Sequence, residues 1–491
     1  MDLSLNRREL LAGLGALAVA PPASAAAPLR LRAVLDAVAV ARIPEARLAL
    51  IRRAPAGRLD RVERELLRMV ARGLEREVEL RRHFPFGKAD GSSPYAVSQR
   101  HGAWLQPGAA DPARRLDEET QRLRSEAALG LAPPGFILDS VLEAELALRR
   151  EAGPEVRAAL DRQMAELRRL RAGAAPFAGV WRLPGGEEYY RLRLRCTSGL
   201  DDSPERIERR IAAEMAALLA RADRLLKGFG LIRGNVGERL RALKRRPEHL
   251  YDDDEAGRSR AVAGMNAALA RLRPRLGDWF DPPFETGGSV RRMSPAEERA
   301  RKRGYRDPAA GQYYPDLAAV RERPAWTLTT VAFHETVPGH LLQLSREARA
   351  DVHPLQAGYA PGYSEGWAIY AESLVGQAGL LSPAEQLGFL QSMLFRLARV
   401  ACDIGIHLRR WDRARAIRYL EDNVGFELFF PFAVEVDRYA AEPAGFAGDA
   451  MVALTLRRLA RKAAASGRLR EFHDKVLNRG PMSAGAIERV I

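Results

Sequence analysis

The chain has 491 residues, of which 47% are hydrophobic and 29% are charged, a balance typical of a folded globular protein and not of a disordered one. Its formal net charge of +15 comes almost wholly from arginine, which is spread along helix-like segments among glutamate and aspartate. The sequence has no basic cluster interleaved with aromatic residues and no zinc-finger, RNP or helix-turn-helix pattern, so the charge does not predict binding to nucleic acid.

The N-terminal segment has the pattern of an export signal. Twin arginines, Arg7 and Arg8, precede an apolar run from Leu10 to Ala20, and small residues follow up to Ala25. The apolar run is too short to cross a bilayer, which takes about 20 residues. An ordinary amphipathic N-terminal helix is the alternative. The pattern favours a twin-arginine signal peptide over residues 1–25, and therefore a periplasmic or secreted protein without a stable membrane span.

Amphipathic helices are predicted along most of the remaining chain. Apolar residues recur at three- and four-residue intervals among charges, which is the periodicity of a helix with one buried face. The segments with this periodicity are 58–80, 116–127, 140–172, 203–227, 258–271, 383–409 and 450–465. Loops rich in proline and glycine are predicted at 84–112, 228–237 and 277–288. Because no low-complexity linker interrupts the chain, we predict one large, mainly α-helical domain over residues 28–491.

Two short segments carry a strand pattern. From Glu187 to Arg195, large apolar side chains alternate with charged ones, and Trp326–Val331 is rich in aromatic and β-branched residues. Both features are typical of β-strands. We predict a strand in each segment, and the second strand could pair with an extended peptide.

The chain has two cysteines, Cys196 and Cys402, which lie far apart in sequence. An oxidising compartment would permit a bridge between them, but two cysteines do not make a disulfide framework. We predict that both are buried thiols.

The segment HETVPGH, residues 334–340, departs from the zinc-protease motif H-E-x-x-H, in which two histidines four residues apart face one metal. His334 and His340 are six residues apart, or 240° around an ideal helix, so an unbroken helix would point them to different sides. Pro338 lacks an amide donor and Gly339 tolerates unusual dihedrals. The helix can therefore break here and bring His340 back to the metal. A chance pair of histidines is the alternative.

A carboxylate further along the chain would complete a metal site. Glu365 and Glu372 lie in the segment YSEGWAIYAE, whose aromatic residues predict a partly buried helix and argue against a solvated face. Seven residues span 700°, or 20° less than two turns, so both glutamates lie on one helix face and geometry does not choose between them. Two histidines, one carboxylate and an open position form a ligand set of catalytic zinc.

Seven motifs follow one another along the chain: SPYAVSQRHGAW, RLPGGEEYYRLRLRCTS, HETVPGH, YSEGWAIYAE, RLARVACDIGIH, EVDRY and FHDKVLNRGP. In this order they resemble the bacterial DUF885 family over nearly all of residues 30–491. The family is similar, more distantly, to helical gluzincin peptidases of the Taq-type carboxypeptidase and thimet-type oligopeptidase groups. The resemblance implies a single helical gluzincin-like metallopeptidase domain with small β elements flanking the active-site helix. The sequence departs from the family pattern at Leu341, where a second histidine is usual, and in the segment after EVDRY.

The resemblance also implies roles for the residues of the two central motifs. In the Taq-type register, Glu365 is the third zinc ligand beside His334 and His340, and Glu372 stands behind them and orients a ligand histidine or the fold. Glu335 is predicted to be the general base that takes a proton from the attacking water.

Four further candidates come from the motifs that follow. His407 lies four residues after Asp403, on the same helical face, and could donate to the oxyanion of a reaction intermediate. A core histidine with satisfied hydrogen bonds is the alternative. Arg438 and Tyr439 could bind a substrate carboxylate, since arginine offers it a planar fork. A pair on the helix surface is the alternative for them.

The sequence as a whole predicts an exported zinc-dependent peptidase that hydrolyses short peptides, with exo-acting cleavage favoured. One alternative is a zinc-dependent hydrolase of a non-peptide amide or ester, because the same water chemistry serves both. The other is a non-catalytic exported binding protein with a relic metal site. The intact Glu335 argues against a non-catalytic binding protein, because a relic metal site does not need a general base.

Overall fold

The described residues fold mainly into α-helices. The computed structural model describes residues 30–83, 92–106, 108–282, 288–350 and 352–491, and the predicted signal peptide lies outside them. The α-helices are α1 (Leu31–Ala39), α2 (Pro44–Arg53), α3 (Arg61–Leu80), α4 (Pro112–Ala128), α5 (Gly135–Glu151), α6 (Pro154–Ala172), α7 (Gly186–Ser198), α8 (Pro204–Gly228), α9 (Val236–Lys244), α10 (Glu255–Leu272), α11 (Pro295–Arg299), α12 (Ala325–Glu335), α13 (His340–Glu347), α14 (Pro354–Gly358), α15 (Tyr363–Gln377), α16 (Pro383–Leu408), α17 (Arg413–Asn423), α18 (Phe432–Ala441), α19 (Ala447–Ala465), α20 (Leu469–Leu477) and α21 (Ala484–Val490). Short 3₁₀ helices lie at Ala56–Arg58, Ala103–Leu105, Val180–Arg182, Pro247–His249, Arg273–Asp278 and Val320–Glu322.

Three short strands form a small mixed sheet. They are β1 (Ser289–Val290), β2 (Tyr305–Asp307) and β3 (Gln312–Tyr314), in the order β1-β3-β2. Strand β1 runs parallel to β3, whereas β2 runs antiparallel to it and sets Arg306 opposite Tyr313. The prediction of one mainly α-helical domain with small β elements is therefore confirmed.

Helix boundaries follow the local chemistry of the chain. The helix predicted from residue 58 begins at Arg61, because Asp60 and Glu63 form a reciprocal capping box at its start. The helix predicted over 140–172 is two helices, α5 and α6, since Pro154 cannot continue a helix but is well suited to begin one.

Both predicted strands are wrong, because both segments are helical. Glu187–Arg195 lies in α7, which starts after Gly185 in the left-handed conformation and carries two glutamates in its first turn. Trp326–Val331 lies in α12, which packs against α10, α15 and α16 and is buried nearly all round. The predicted pairing of this segment with an extended peptide is also wrong, since helical amides are already hydrogen-bonded.

Helix α16 forms the centre of the core. It is buried from Leu387 almost without interruption to His407, and it packs against α8, α12, α17 and α18. Helix α15 packs along α19 and also against α12. The helices that carry both central motifs are thereby fixed against the rigid middle of the domain.

Both cysteines are unpaired. Cys402 is buried, as predicted, whereas Cys196 is half-buried. Within the described ranges, no helix combines the length and the apolar character that crossing a membrane requires.

A buried carboxyl group on α5 predicts loss of stability at high pH. Glu145 is fully buried, its carboxylate oxygens have no hydrogen-bond partner in the described part of the chain, and burial raises its pKa to about 8. The folded protein keeps this carboxyl group protonated up to a pH of about 8, whereas the unfolded chain loses the proton near pH 4.5. The group therefore lowers the stability of the fold increasingly as the pH rises from 4.5 to about 8.

Replacement of Glu145 by glutamine should raise the free energy of unfolding at pH 8.5 by on the order of 3 kcal/mol and change it little at pH 4.5. Urea denaturation at the two pH values measures this difference. Glu143→Gln, an exposed change on the same helix, is the matched control. Equal effects of Glu145→Gln at both pH values would contradict the assignment.

Candidate metal centre

The HETVPGH segment breaks the helix between its two histidines. Helix α12 ends at Glu335 and α13 begins at His340. A Cβ at Gly339 would lie 2.0 Å from the carbonyl oxygen of His334, so glycine alone fits this close approach. The Trp367 indole also donates a hydrogen bond to the Pro338 carbonyl, at 3.0 Å. The two imidazole rings come within 4.8 Å, centroid to centroid, and stand nearly perpendicular.

Glu365, in the first turn of α15, brings its carboxylate to both histidines. Its Oε2 lies 3.5 Å from His334 Nε2, and its Oε1 lies 3.3 Å from His340 Nε2. Ligand atoms about 2.1 Å from zinc at the corners of a tetrahedron are about 3.4 Å apart. One atom from each of the three residues lies within 4.8 Å of the other two. The spacing therefore fits a zinc ion with three protein ligands.

Groups behind the histidines direct both rings toward the same point. His334 Nδ1 donates to Glu372 Oε1 at 2.7 Å. His340 Nδ1 lies 3.1 Å from Ser364 Oγ, whose hydroxyl in turn donates to Gln343. Each ring therefore presents its Nε2 atom, as second-sphere hydrogen bonds to metal-bound histidines do. His340 Nε2 is buried, and it lies 3.3 Å from Glu365 Oε1 without the geometry of a hydrogen bond to any group in the described ranges, which suits an atom that binds a metal.

The charges around the histidines favour a cation. Burial disfavours the charged form of His334, but Glu365 and Glu372 outweigh this and raise its pKa to about 10. Burial lowers the pKa of His340. Burial would also raise the pKa of Glu365, yet the two histidines and Arg396 hold it well below its ordinary range. The carboxylates thus stabilise positive charge at the point where the three ligand atoms meet.

Glu335 lies next to these residues on the wall of a cleft. The cleft has a volume of about 300 Å³ and is lined by His334, Glu335, Glu372 and Arg396, among others. Glu335 Oε2 accepts a hydrogen bond from Arg306 Nη1 at 2.6 Å, which leaves Oε1 free of that contact. Of the three candidate ligands, His334 lines this cleft, and none lines a second cavity of about 460 Å³.

Sequence reasoning missed two arginines at this centre. Arg306 comes from β2 and holds Glu335, and Arg396 comes from α16 and lies 3.3 Å from Glu365 Oε2. Arg396 is the first residue of the motif RLARVACDIGIH, and that motif could have drawn attention to it. The sequence does not show that this end of the motif contacts the Glu365 carboxylate.

His407 does not line the cleft, and it has the contacts of a core histidine. It is fully buried, its Nδ1 accepts from the Val180 amide at 3.1 Å, and its Nε2 donates to the Tyr439 carbonyl at 3.0 Å. Burial lowers its pKa to about 4. Asp403 accepts hydrogen bonds from Tyr190 and from the Ala444 amide. The prediction that His407 donates to an oxyanion is therefore corrected, because both of its ring nitrogens already form hydrogen bonds with the backbone.

Arg438 and Tyr439 are also placed differently from the prediction. Arg438 donates to Glu435 at 2.7 Å and stacks on Phe430, which itself lines the cleft. Tyr439 is fully buried. The predicted contact of this pair with a substrate carboxylate is corrected, since neither residue lines the cleft, Arg438 is paired with Glu435, and Tyr439 lies in the core.

Two solved structures share this fold. A predicted lipoprotein from Colwellia psychrerythraea superposes with a TM-score of 0.72 at 21% identity, over 94% of this chain and 90% of its own. A predicted lipoprotein of unknown function from Shewanella oneidensis gives a TM-score of 0.67 at 14% identity, over 94% and 92% of the two chains. At these identities the likeness concerns the helical fold alone.

The family follows from the sequence match along the chain. Residues 36–491 match the model described as "Bacterial protein of unknown function (DUF885)", and the chain belongs to this family. Among curated proteins, none matches this chain.

Proposed function

We propose that this protein is an exported zinc-dependent peptidase that hydrolyses short peptides. The observation that carries the proposal is that one ligand atom each from His334, His340 and Glu365 lies within 4.8 Å of the other two, while Glu335, the neighbour of His334 in sequence, lines the cleft with it. Nitrogen and carboxylate donors in this number are the ligand set of catalytic zinc, with one position left for water or substrate. Zinc bound there would supply Lewis acidity toward a water molecule and a carbonyl oxygen.

The chain's own residues move the protons. Glu335 takes a proton from the attacking water at Oε1, while Arg306 holds its Oε2, and Glu335 then passes the proton to the leaving amine. Glu372 keeps His334 in the tautomer that presents Nε2. Arg396 steadies the Glu365 carboxylate from the side of α16.

A peptide is the substrate that we favour over an ester. An amine leaving group needs a proton as the carbon–nitrogen bond breaks, and Glu335 can supply the one that it has just taken. The resemblance of HETVPGH and YSEGWAIYAE to the gluzincin peptidases supports the same choice.

A peptide digest tests this function. The purified protein is incubated with a mixture of synthetic peptides of defined sequence, with added zinc or with a chelator, and the products are identified by mass spectrometry. We expect cleavage with zinc and none with the chelator. Cleavage that the chelator does not affect, or hydrolysis of ester and non-peptide amide substrates alone, would reject the proposal.

Export by the twin-arginine pathway is part of the proposal and rests on Arg7, Arg8 and the apolar run that follows them. Replacement of both arginines by lysine should hold the precursor in the cytoplasm, because this pathway reads the arginine pair. Cell fractionation with antibody detection measures the distribution. Equal recovery of both proteins from the periplasm would contradict this route.

A further inference from the structure

Two arginines on the wall of the cleft have no carboxylate partner within the described residues. Arg303 and Arg323 line the same cavity as His334 and Glu335, and neither forms an ion pair in the described part of the chain. Unpaired arginines are ordinary on the exposed surface of so arginine-rich a chain. Arg323 differs because it is half-buried. A charge that has lost part of its water favours an anionic partner.

The acidic side chains on the same wall do not neutralise these arginines by contact. Glu322 accepts a hydrogen bond from Lys244 at 2.9 Å, and Asp316 accepts one from the Ala318 amide at 3.0 Å. Glu427 is exposed at the rim. The two guanidinium groups therefore remain available to a ligand in the cleft.

Tyr313, a buried residue of β3, lines the cleft together with Arg303, Arg323 and Glu335. Burial raises its pKa, the Glu335 charge raises it further, and Arg323 opposes the rise. Tyr313 is thus within electrostatic reach of both Glu335 and Arg323. Arg323 and Glu335 line one cavity of about 300 Å³, which is at the small end for ligand sites, so one ligand in it can contact both residues.

Aromatic side chains form the wall beside the arginines. Phe430 lies under the Arg303 guanidinium, 5.0 Å from ring centre to charge, and Phe429 lies 5.4 Å from Arg396 in the same way. Phe429 also lines the cleft, and the residue is 48% exposed. An exposed aromatic side chain at a cleft suits an apolar ligand group.

We propose that Arg323, assisted by Arg303, binds the free C-terminal carboxylate of a short peptide, and that Phe429 contacts an apolar C-terminal side chain. Arginine is suited to this because its planar fork donates two hydrogen bonds to one carboxylate. The proposal rests on the proposed peptidase function and refines it to removal of residues from the C-terminus. The anion-binding groups are residues of the cleft wall and not the pair Arg438 and Tyr439.

Equilibrium binding of matched peptides tests the site without hydrolysis. The probes are the tripeptide Ala-Ala-Phe and its C-terminal amide, and the protein is the Glu335→Gln variant in zinc-containing buffer. A charge-assisted hydrogen bond predicts that the acid binds about 10–100-fold more tightly than the amide. Adding Arg323→Gln should lower affinity for the acid by a similar factor and leave affinity for the amide unchanged.

Two further variants keep the result interpretable. Arg303→Gln changes an exposed residue and should reduce the preference for the acid in part, even if the half-buried Arg323 tolerates replacement poorly. Arg233→Gln, an exposed arginine away from the cleft, should preserve the full preference. Equal affinity for acid and amide, no binding of either probe, or a preference that survives loss of both Arg303 and Arg323 would overturn the proposal. The last outcome would assign the preference to the metal.

The carboxylate site and the peptidase function can fail separately. If the unmodified protein hydrolyses no peptide but the arginine-dependent preference is measured, the site is supported and the hydrolytic function is rejected. If peptides are cleaved but acid and amide bind equally, the function survives and the carboxylate site is rejected.

Discussion

Replacement of Glu335 by glutamine is expected to lower peptide hydrolysis by about 10²–10⁴-fold, the range typical of a positioned general base. Glutamine has nearly the same shape but cannot take a proton from water. Glu335 contacts Arg306 and lines the cleft beside the ligand atoms without being one of them, so the variant should keep its zinc. Steady-state kinetics on one cleaved peptide, with metal analysis of the same sample, measures both quantities.

The matched control is Glu471→Gln, an exposed change at a helix surface where the side chain pairs with Lys475. This control should keep normal turnover. Near-native turnover by Glu335→Gln would remove Glu335 from the mechanism and favour a binding protein.

The second large effect is expected at Glu365. Glu365→Gln should remove the bound zinc and abolish hydrolysis, because the amide is a much weaker ligand and the two Nε2 atoms lose the carboxylate 3.3–3.5 Å away. Glu372→Gln, on the same helix, is the comparison. It contacts His334 at Nδ1, on the far side of the ring, so its loss should weaken zinc binding by only about 10–100-fold.

Competition with a chromophoric chelator gives the zinc affinity of each variant. The order of affinities assigns the two roles: a larger loss at Glu372 than at Glu365 would exchange them.

The helical periodicity of apolar residues predicted most of the helices. It failed in two segments whose buried side chains do not follow a helical period. The helices that present one apolar face, such as α3 and α8, were predicted within a few residues. Helix α12 is buried nearly all round, so its threonines, valine and tryptophan show no helical period and imitate a strand. In α7, tyrosines and leucines alternate with arginines, but Gly185 and the glutamates of the first turn start a helix there. Packing against neighbouring helices outweighs intrinsic strand preference at both segments.

The candidate ligands could be found from the sequence because the break at Pro338 and Gly339 has a local cause. Arg306 and Arg396 could not, since they come from β2 and α16 and meet the centre only in the folded chain. The prediction for His407 rested on the helical face that it shares with Asp403, and this pairing does not place either residue at the metal centre. Arg396 reaches Glu365, whereas His407 lies about 16 Å further along the axis of α16, although the two differ by only 20° around it. A shared face does not imply a shared site.

Zinc titration of the metal-stripped protein tests the central claim most directly. The protein is freed of metal with a chelator, zinc is added in steps, and hydrolysis of one peptide is followed at each step. We predict no hydrolysis without metal, a rise in proportion to added zinc, and a plateau at about one zinc per chain, because the described residues offer one three-ligand centre. Full hydrolysis by the metal-free protein, or no zinc binding at this stoichiometry, would contradict the account.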